Sequence, residues 1–182
     1  VIELGKRGQV YIAGTFRRRA RFGEHSLKAR GRGSLFLAEL SPGGAGKVLW
    51  ARSYRAQIVT RHAHPVLVIR SLVGGDLLLA GGFRKRLQFG TKKLEVSTGT
   101  KSFVARFNRL GYVRWLLGGA GNFDTISLLQ IYSKRSFFVA GTFYGHARFG
   151  KTDMASWGEK AFFVARVKDL EDHARWEWVQ MA

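Results

Sequence analysis

Three copies of one pattern run through the 182 residues, and internal repetition constrains a fold more tightly than any local propensity. Val10-Tyr11-Ile12-Ala13-Gly14-Thr15-Phe16 recurs as Leu77-Leu78-Leu79-Ala80-Gly81-Gly82-Phe83, and again as Phe137-Phe138-Val139-Ala140-Gly141-Thr142-Phe143. Nine residues after each Ala stands Phe-Gly, at Phe22-Gly23, Phe89-Gly90 and Phe149-Gly150. Five beyond that Phe comes Leu27, Leu94 or Met154. Sixteen beyond it comes a second Ala, in Phe36-Leu37-Ala38, Phe103-Val104-Ala105 and Phe163-Val164-Ala165. A Trp closes each copy, assigned from the sequence to Trp50, Trp115 and Trp176. Offsets of nine and sixteen hold in all three copies, which excludes chance.

Each copy has the signature of β structure: apolar segments of 4–8 residues, rich in Val, Ile, Phe and Tyr, separated by turn residues. The expected strands are a leading one (1–4, 66–71, 125–131), the Ala-Gly strand (10–14, 77–81, 137–141) and a short Phe-Gly strand (20–22, 87–89, 147–149). The Phe-x-Ala strand (35–40, 102–107, 162–167) and the Trp strand (48–53, 112–117, 174–179) complete the unit. Lys6-Arg7-Gly8 and Gly74-Gly75-Asp76 predict hairpin turns between the first two strands. Four or five meandering antiparallel strands in about 60 residues is the size of a propeller blade. The expectation is an all-β chain of three four-stranded propeller-like blades, at 1–54, 55–119 and 120–182, forming one continuous repeat domain.

Charge is unevenly placed along these copies. Residues 1–120 hold 23 Lys/Arg against 5 Asp/Glu, whereas residues 121–182 hold 8 against 7. A localised excess points to a negative partner that meets one region. The chain has no cysteine, which removes disulfides, thiolate catalysis and Cys-ligated metal sites together. No apolar run approaches the ~20 residues that span a bilayer, so no transmembrane segment is expected. The chain begins at Val1, with neither an initiator Met nor a signal peptide, as expected of a processed protein or part of a longer one.

The order hydrophobic-Ala-Gly-Thr-Phe, Phe-Gly, Phe-Val-Ala-Arg, Trp resembles the tandem β-propeller repeat of bacterial secreted and cell-surface proteins, over residues 1–179. The resemblance implies a propeller architecture and a binding or scaffold role outside the cell. Two departures stand out. The hairpin usually rich in Thr, Ser and Gly is here Arg17-Arg18-Arg19 and Arg84-Lys85-Arg86. Three blades are also too few, since propellers close with four to eight. An open arc leaves apolar faces and strand edges exposed. Closure by a homo-oligomer, most simply a two-chain six-bladed ring, or docking in a larger assembly is expected.

Equivalent loops of successive blades fall on one face, which brings Arg17, Arg18, Arg19 and Arg21 beside Arg84, Lys85 and Arg86. A second cluster holds Lys28, Arg30 and Arg32 in the first copy and Lys92, Lys93 and Lys101 in the second. Arginine forks bind phosphate bidentately and lysines add point charge. These residues predict contact with a polyanion, nucleic-acid backbone above all, without sequence readout. The alternative is a secreted or cell-surface module recognising acidic glycan or protein partners. Resemblance places the protein outside the cell, while charge suits intracellular nucleic acid equally. Gly43-Gly44-Ala45-Gly46-Lys47 lacks the flanking residues of a phosphate loop and reads as a hairpin turn. His62 and His64 have no third ligand, so no metal is expected. Neither a catalytic constellation nor a cofactor site is expected, and the repeated aromatics read as core. The six aromatics outside the repeat, Tyr54, Tyr112, Tyr132, Tyr144, Trp157 and Trp178, read mostly as packing or rim residues.

Overall fold

A computed structural model of the chain describes residues 1–31, 33–43, 46–58, 60–61, 64–121 and 124–181. Arg32, Gly44, Ala45 and His62 lie outside the described residues, as do the side-chain surroundings of His64. Among the described residues the chain is all-β, with about 72% of them in strands. The first copy supplies β1 (Ile2–Leu4), β2 (Val10–Phe16), β3 (Arg19–Phe22), β4 (His25–Lys28), β5 (Ser34–Leu40) and β6 (Val48–Ile58). A minimal hairpin follows, β7 (Thr60–Arg61) with β8 (His64–Pro65). The second copy supplies β9 (Leu67–Ser71), β10 (Leu77–Phe89), β11 (Lys92–Glu95), β12 (Lys101–Phe107), β13 (Val113–Gly118) and β14 (Ala120–Gly121). The third has β15 (Thr125–Ser133), β16 (Ser136–Phe149), β17 (Thr152–Asp169) and β18 (Ala174–Met181).

Antiparallel pairing runs β1-β2-β5-β6 in the first copy, β9-β10-β12-β13 in the second and β15-β16-β17-β18 in the third. The sheets do not divide into three separate units. β6 runs on past its own copy and pairs with the far end of β10 (Ala56 opposite Leu87, Arg55 opposite Gln88), which fuses the first two copies into a nine-stranded sheet curled as a half-barrel. β14 repeats the manoeuvre on β16, with Ala120 opposite Arg148. Each copy also projects a hairpin beyond its sheet: β3–β4, the end of β10 with β11, and the ends of β16 and β17.

Alternation along the strands gives every copy two apolar faces, because successive side chains point to opposite sides. One face turns toward the preceding copy and the other toward the next. Tyr11, Ala13, Leu35 and Leu37 of the first copy pack against Ile69, Leu77, Leu79 and Phe103 of the second. The reverse side of the second copy, with Leu78, Ala80, Val104 and Trp115, packs against Phe137, Val139, Phe163 and Val167 of the third. The same aromatic triad recurs on each preceding-side face. Phe16 and Phe22 meet Phe36 with ring centroids 6.4 and 4.7 Å apart; Phe83 and Phe89 meet Phe103 at 6.3 and 5.9 Å; Phe143 and Phe149 meet Phe163 at 6.4 and 4.6 Å.

The third closing Trp is Trp178 and not Trp176. A β-bulge near the start of each last strand leaves one residue unpaired. Trp50 lies opposite Glu39, Trp115 opposite Arg106 and Trp178 opposite Arg166, while Val48, Val113 and Trp176 hold the preceding register position. The bulge and the unequal connections before it hide this equivalence from spacing alone.

Phe103 is wholly buried and touches both aromatic partners of its triad. Phe103→Ala is expected to destabilise the chain by about 3–5 kcal/mol, the cost of an aromatic-sized cavity, read from urea denaturation. A loss below about 1 kcal/mol would contradict the packing.

Candidate polyanion interface

The basic triplets sit at the bend where each Ala-Gly strand passes into its projecting hairpin. The chain must change direction there, and the middle residue of each triplet takes up a left-handed conformation: Arg18 at φ 63° and Lys85 at φ 60°. The third copy has Gly145 at the corresponding position, with φ 69°. Left-handed backbone crowds a Cβ and costs an L-residue about 1–2 kcal/mol, which glycine avoids. The first two copies therefore hold a cation where conformation favours glycine. The bend is otherwise built alike: Ala29 N–H donates to the Arg18 carbonyl and Val96 N–H to the Lys85 carbonyl, both at 2.8 Å.

Arg17, Arg18, Arg19 and Arg21 are all exposed, with Arg19 paired across the hairpin to Lys28 and Arg21 Nε donating to the Gly23 carbonyl. Arg84 and Lys85 are exposed and Arg86 is half-buried. Between the first and second copies lies a groove of about 310 Å³ whose cations are Arg30, Arg55, Lys85 and Arg86. A second depression, of about 340 Å³, shares Arg30, Gly31 and Arg55 and extends the groove to Gln88 and Gly90. Gly31, at φ 96°, lies against the Arg55 guanidinium. The nearest acid is Glu95, 3.4 Å from Arg86 Nε in an exposed ion pair. That geometry makes no hydrogen bond, and Arg86 Nε, screened from solvent, has no hydrogen-bond partner among the described residues.

Arg55 was absent from the sequence-derived set. Strand pairing places it: Lys93, Gln88, Arg55 and Ser34 stand in one register row across β11, β10, β6 and β5. The corresponding row of the third copy is Asp153, Arg148 and Ala120, with Arg148 Nε 3.4 Å from Asp153. The basic row is thus confined to the junction of the first two copies. Lys92 is half-buried at the tip of the β10–β11 hairpin. The third hairpin presents Trp157, which is 94% exposed and packs against no core.

The opposite end of each junction carries acids whose roles are structural. Trp50 Nε1 donates to Glu39 (2.7 Å) and to the Arg109 carbonyl (3.1 Å), while Trp115 Nε1 donates to Asp169 (3.0 Å). Arg106 joins Asp76 and Asp169 across the second junction. Burial pushes the Glu39 carboxyl up, partly offset by the Trp50 bond. At the hairpin end of the second junction, burial raises Asp124, against the bonds that its Oδ2 accepts from Ser102 N (2.9 Å) and Ser102 Oγ (2.5 Å). Among the described residues no group of three or more His, Asp or Glu is gathered as metal ligands. Gly43 and Gly46 close a turn between β5 and β6 and precede no helix.

No protein-family model matches the chain, and a search of curated proteins returns no match. No helix among the described residues is long and apolar enough to cross a membrane.

Two outcomes follow from these geometries. Arg18→Gly and Lys85→Gly are each expected to stabilise the chain by about 1 kcal/mol, and Gly145→Ala, which has open space around it, to destabilise it by a similar amount in chemical denaturation. A carboxyl whose pKa is raised by folding binds its proton more tightly in the native state, so stability declines as pH rises from the ordinary Asp value through the native one. The stability of Asp124→Asn relative to wild type should therefore grow with pH above the ordinary Asp value and level off once pH has passed the native one. A difference that is flat between pH 4 and 8 would refute the burial of a charged Asp124.

Proposed function

We propose that this chain is a non-enzymatic repeat protein of the β-propeller kind that holds a polyanion, nucleic-acid phosphate backbone above all, without reading its sequence. One observation carries the reading: Arg30, Arg55, Lys85 and Arg86 converge on a groove between two copies, with a single exposed acid beside them. Surface cations that serve only solubility have no reason to face one another across a junction, since like charges repel. Two further observations support it. Arg18 and Lys85 are retained in a backbone conformation that costs stability, the pattern expected of a functional position. The equivalent row in the third copy carries its own counter-ion and no such concentration. Phosphate oxygens spaced along a backbone satisfy guanidinium forks and ammonium groups together. With no helix to enter a groove and no cluster of exposed aromatics beside the cations among the described residues, the contact is to backbone and not to base edges. The head-to-tail stacking of apolar faces supports reading the copies as blades.

The test is a salt titration of labelled RNA and duplex DNA, with heparin as competitor. Four phosphate contacts add about −3 to −4 to the log–log salt slope on duplex DNA. The variant with Arg30, Arg55, Lys85 and Arg86 changed to Ser should lose that part of the slope while its far-UV circular dichroism is preserved. Binding of the same slope in the variant, or binding that modest heparin abolishes, would overturn the reading and favour generic charge.

A further inference from the structure

The two outermost faces of the stack are chemically the two halves of its internal junctions, and neither is covered. Ile69 and Leu129 face the preceding copy and are 1% and 2% exposed; Ile2, at the same register position in the first copy, is 66% exposed. The rest of that face follows suit. Phe16, Phe22 and Phe36 are partly exposed, whereas their counterparts in the second and third copies are buried. At the other end, Leu37 and Val104 face the next copy and are wholly buried, while the equivalent Val164 is 37% exposed. Phe162 beside it is 61% exposed, and exposed Tyr132 pairs with half-buried Phe138, with Trp178 close by. Contiguous apolar surface of this extent is uncommon on a monomer.

We infer that these faces are a self-association interface, in which the first repeat of one copy of the chain packs on the third repeat of another, head to tail. The chain itself supplies the argument. It makes this kind of junction twice, each time seating the larger aromatic face of one repeat on the smaller Ala-bearing face of the repeat before it. The uncovered pair consists of one face of each kind. Trp50 and Trp115 each donate an indole N–H across their junction to the following repeat, to the Arg109 carbonyl and the Asp169 carboxylate, and Trp178 holds the same register position in the last repeat. Because the two surfaces differ, the contact is heterologous, so copies close into a ring or extend. The association is apolar and does not depend on the basic groove.

Sedimentation velocity in 1 M NaCl tests it, since that salt screens any bridging by bound polyanion. The wild-type chain should sediment at twice its 20.4 kDa mass or more, whatever the outcome for polyanion binding. Ile2→Glu and Phe162→Glu should each return it to monomer, and Leu4→Glu and Tyr132→Glu form a second pair at the same two exposed faces. An equimolar mixture of Ile2→Glu with Phe162→Glu should recover a dimer, because each variant keeps the face that the other lacks. A wild-type monomer up to roughly 100 µM would overturn the inference. So would an oligomer indifferent to both substitutions, or a mixture that stays monomeric.

Discussion

Apolar stacking of one repeat on the next is the interaction on which the rest of this structure depends. Each repeat carries apolar side chains on both sides of its strands and cannot cover both by itself. The two buried clusters solve this by interleaving, with the Phe triad of each later repeat seated against the smaller residues of the earlier one. Within each of the last two repeats, the Ala-Gly step sets how closely the leading strand lies against its own sheet. A Cβ on Gly141 would stand 1.9 Å from the Thr125 carbonyl oxygen, and one on Gly81 would stand 2.3 Å from that of Val66. Only glycine lets the leading strand approach there.

Stacking also explains where charge resides. The sheet faces are committed to apolar contact, and the two Arg/Lys triplets with Lys28, Lys92 and Lys93 lie on or beside the projecting hairpins. The acids at the opposite end have internal partners: Asp76 and Asp169 hold Arg106 across the second junction, and Glu39 takes the Trp50 indole within the first repeat. The excess positive charge is therefore free of internal partners mostly on one side of the first junction. Its spatial asymmetry follows the asymmetry along the chain, sharpened by the ion pair between Arg148 and Asp153 in the third repeat.

Much of this was legible in the residues. The strand order, the hairpin at Gly74-Gly75 and the β character of 174–179 all follow from repeat offsets and turn residues, because these are local properties with a short period. The closing Trp of the third copy was misassigned because a bulge shifts register by one, and spacing does not register bulges. Arg55 went unnoticed because nothing about Tyr54-Arg55-Ala56 marks it out. Its importance comes from β6 crossing into the next repeat and pairing with β10.

Amino-acid order alone settled that the chain is β throughout, that it is threefold repetitive and that its charge belongs to the first two copies, since periodicity and composition are carried by neighbours in sequence. Three-dimensional packing decided which cations face one another, which aromatic faces stay uncovered and that the first two copies share one curled sheet. Those outcomes depend on pairings between residues some 30 positions apart, as with Arg55 and Gln88. Such contacts are chosen by the total apolar area buried and by no short stretch of chain.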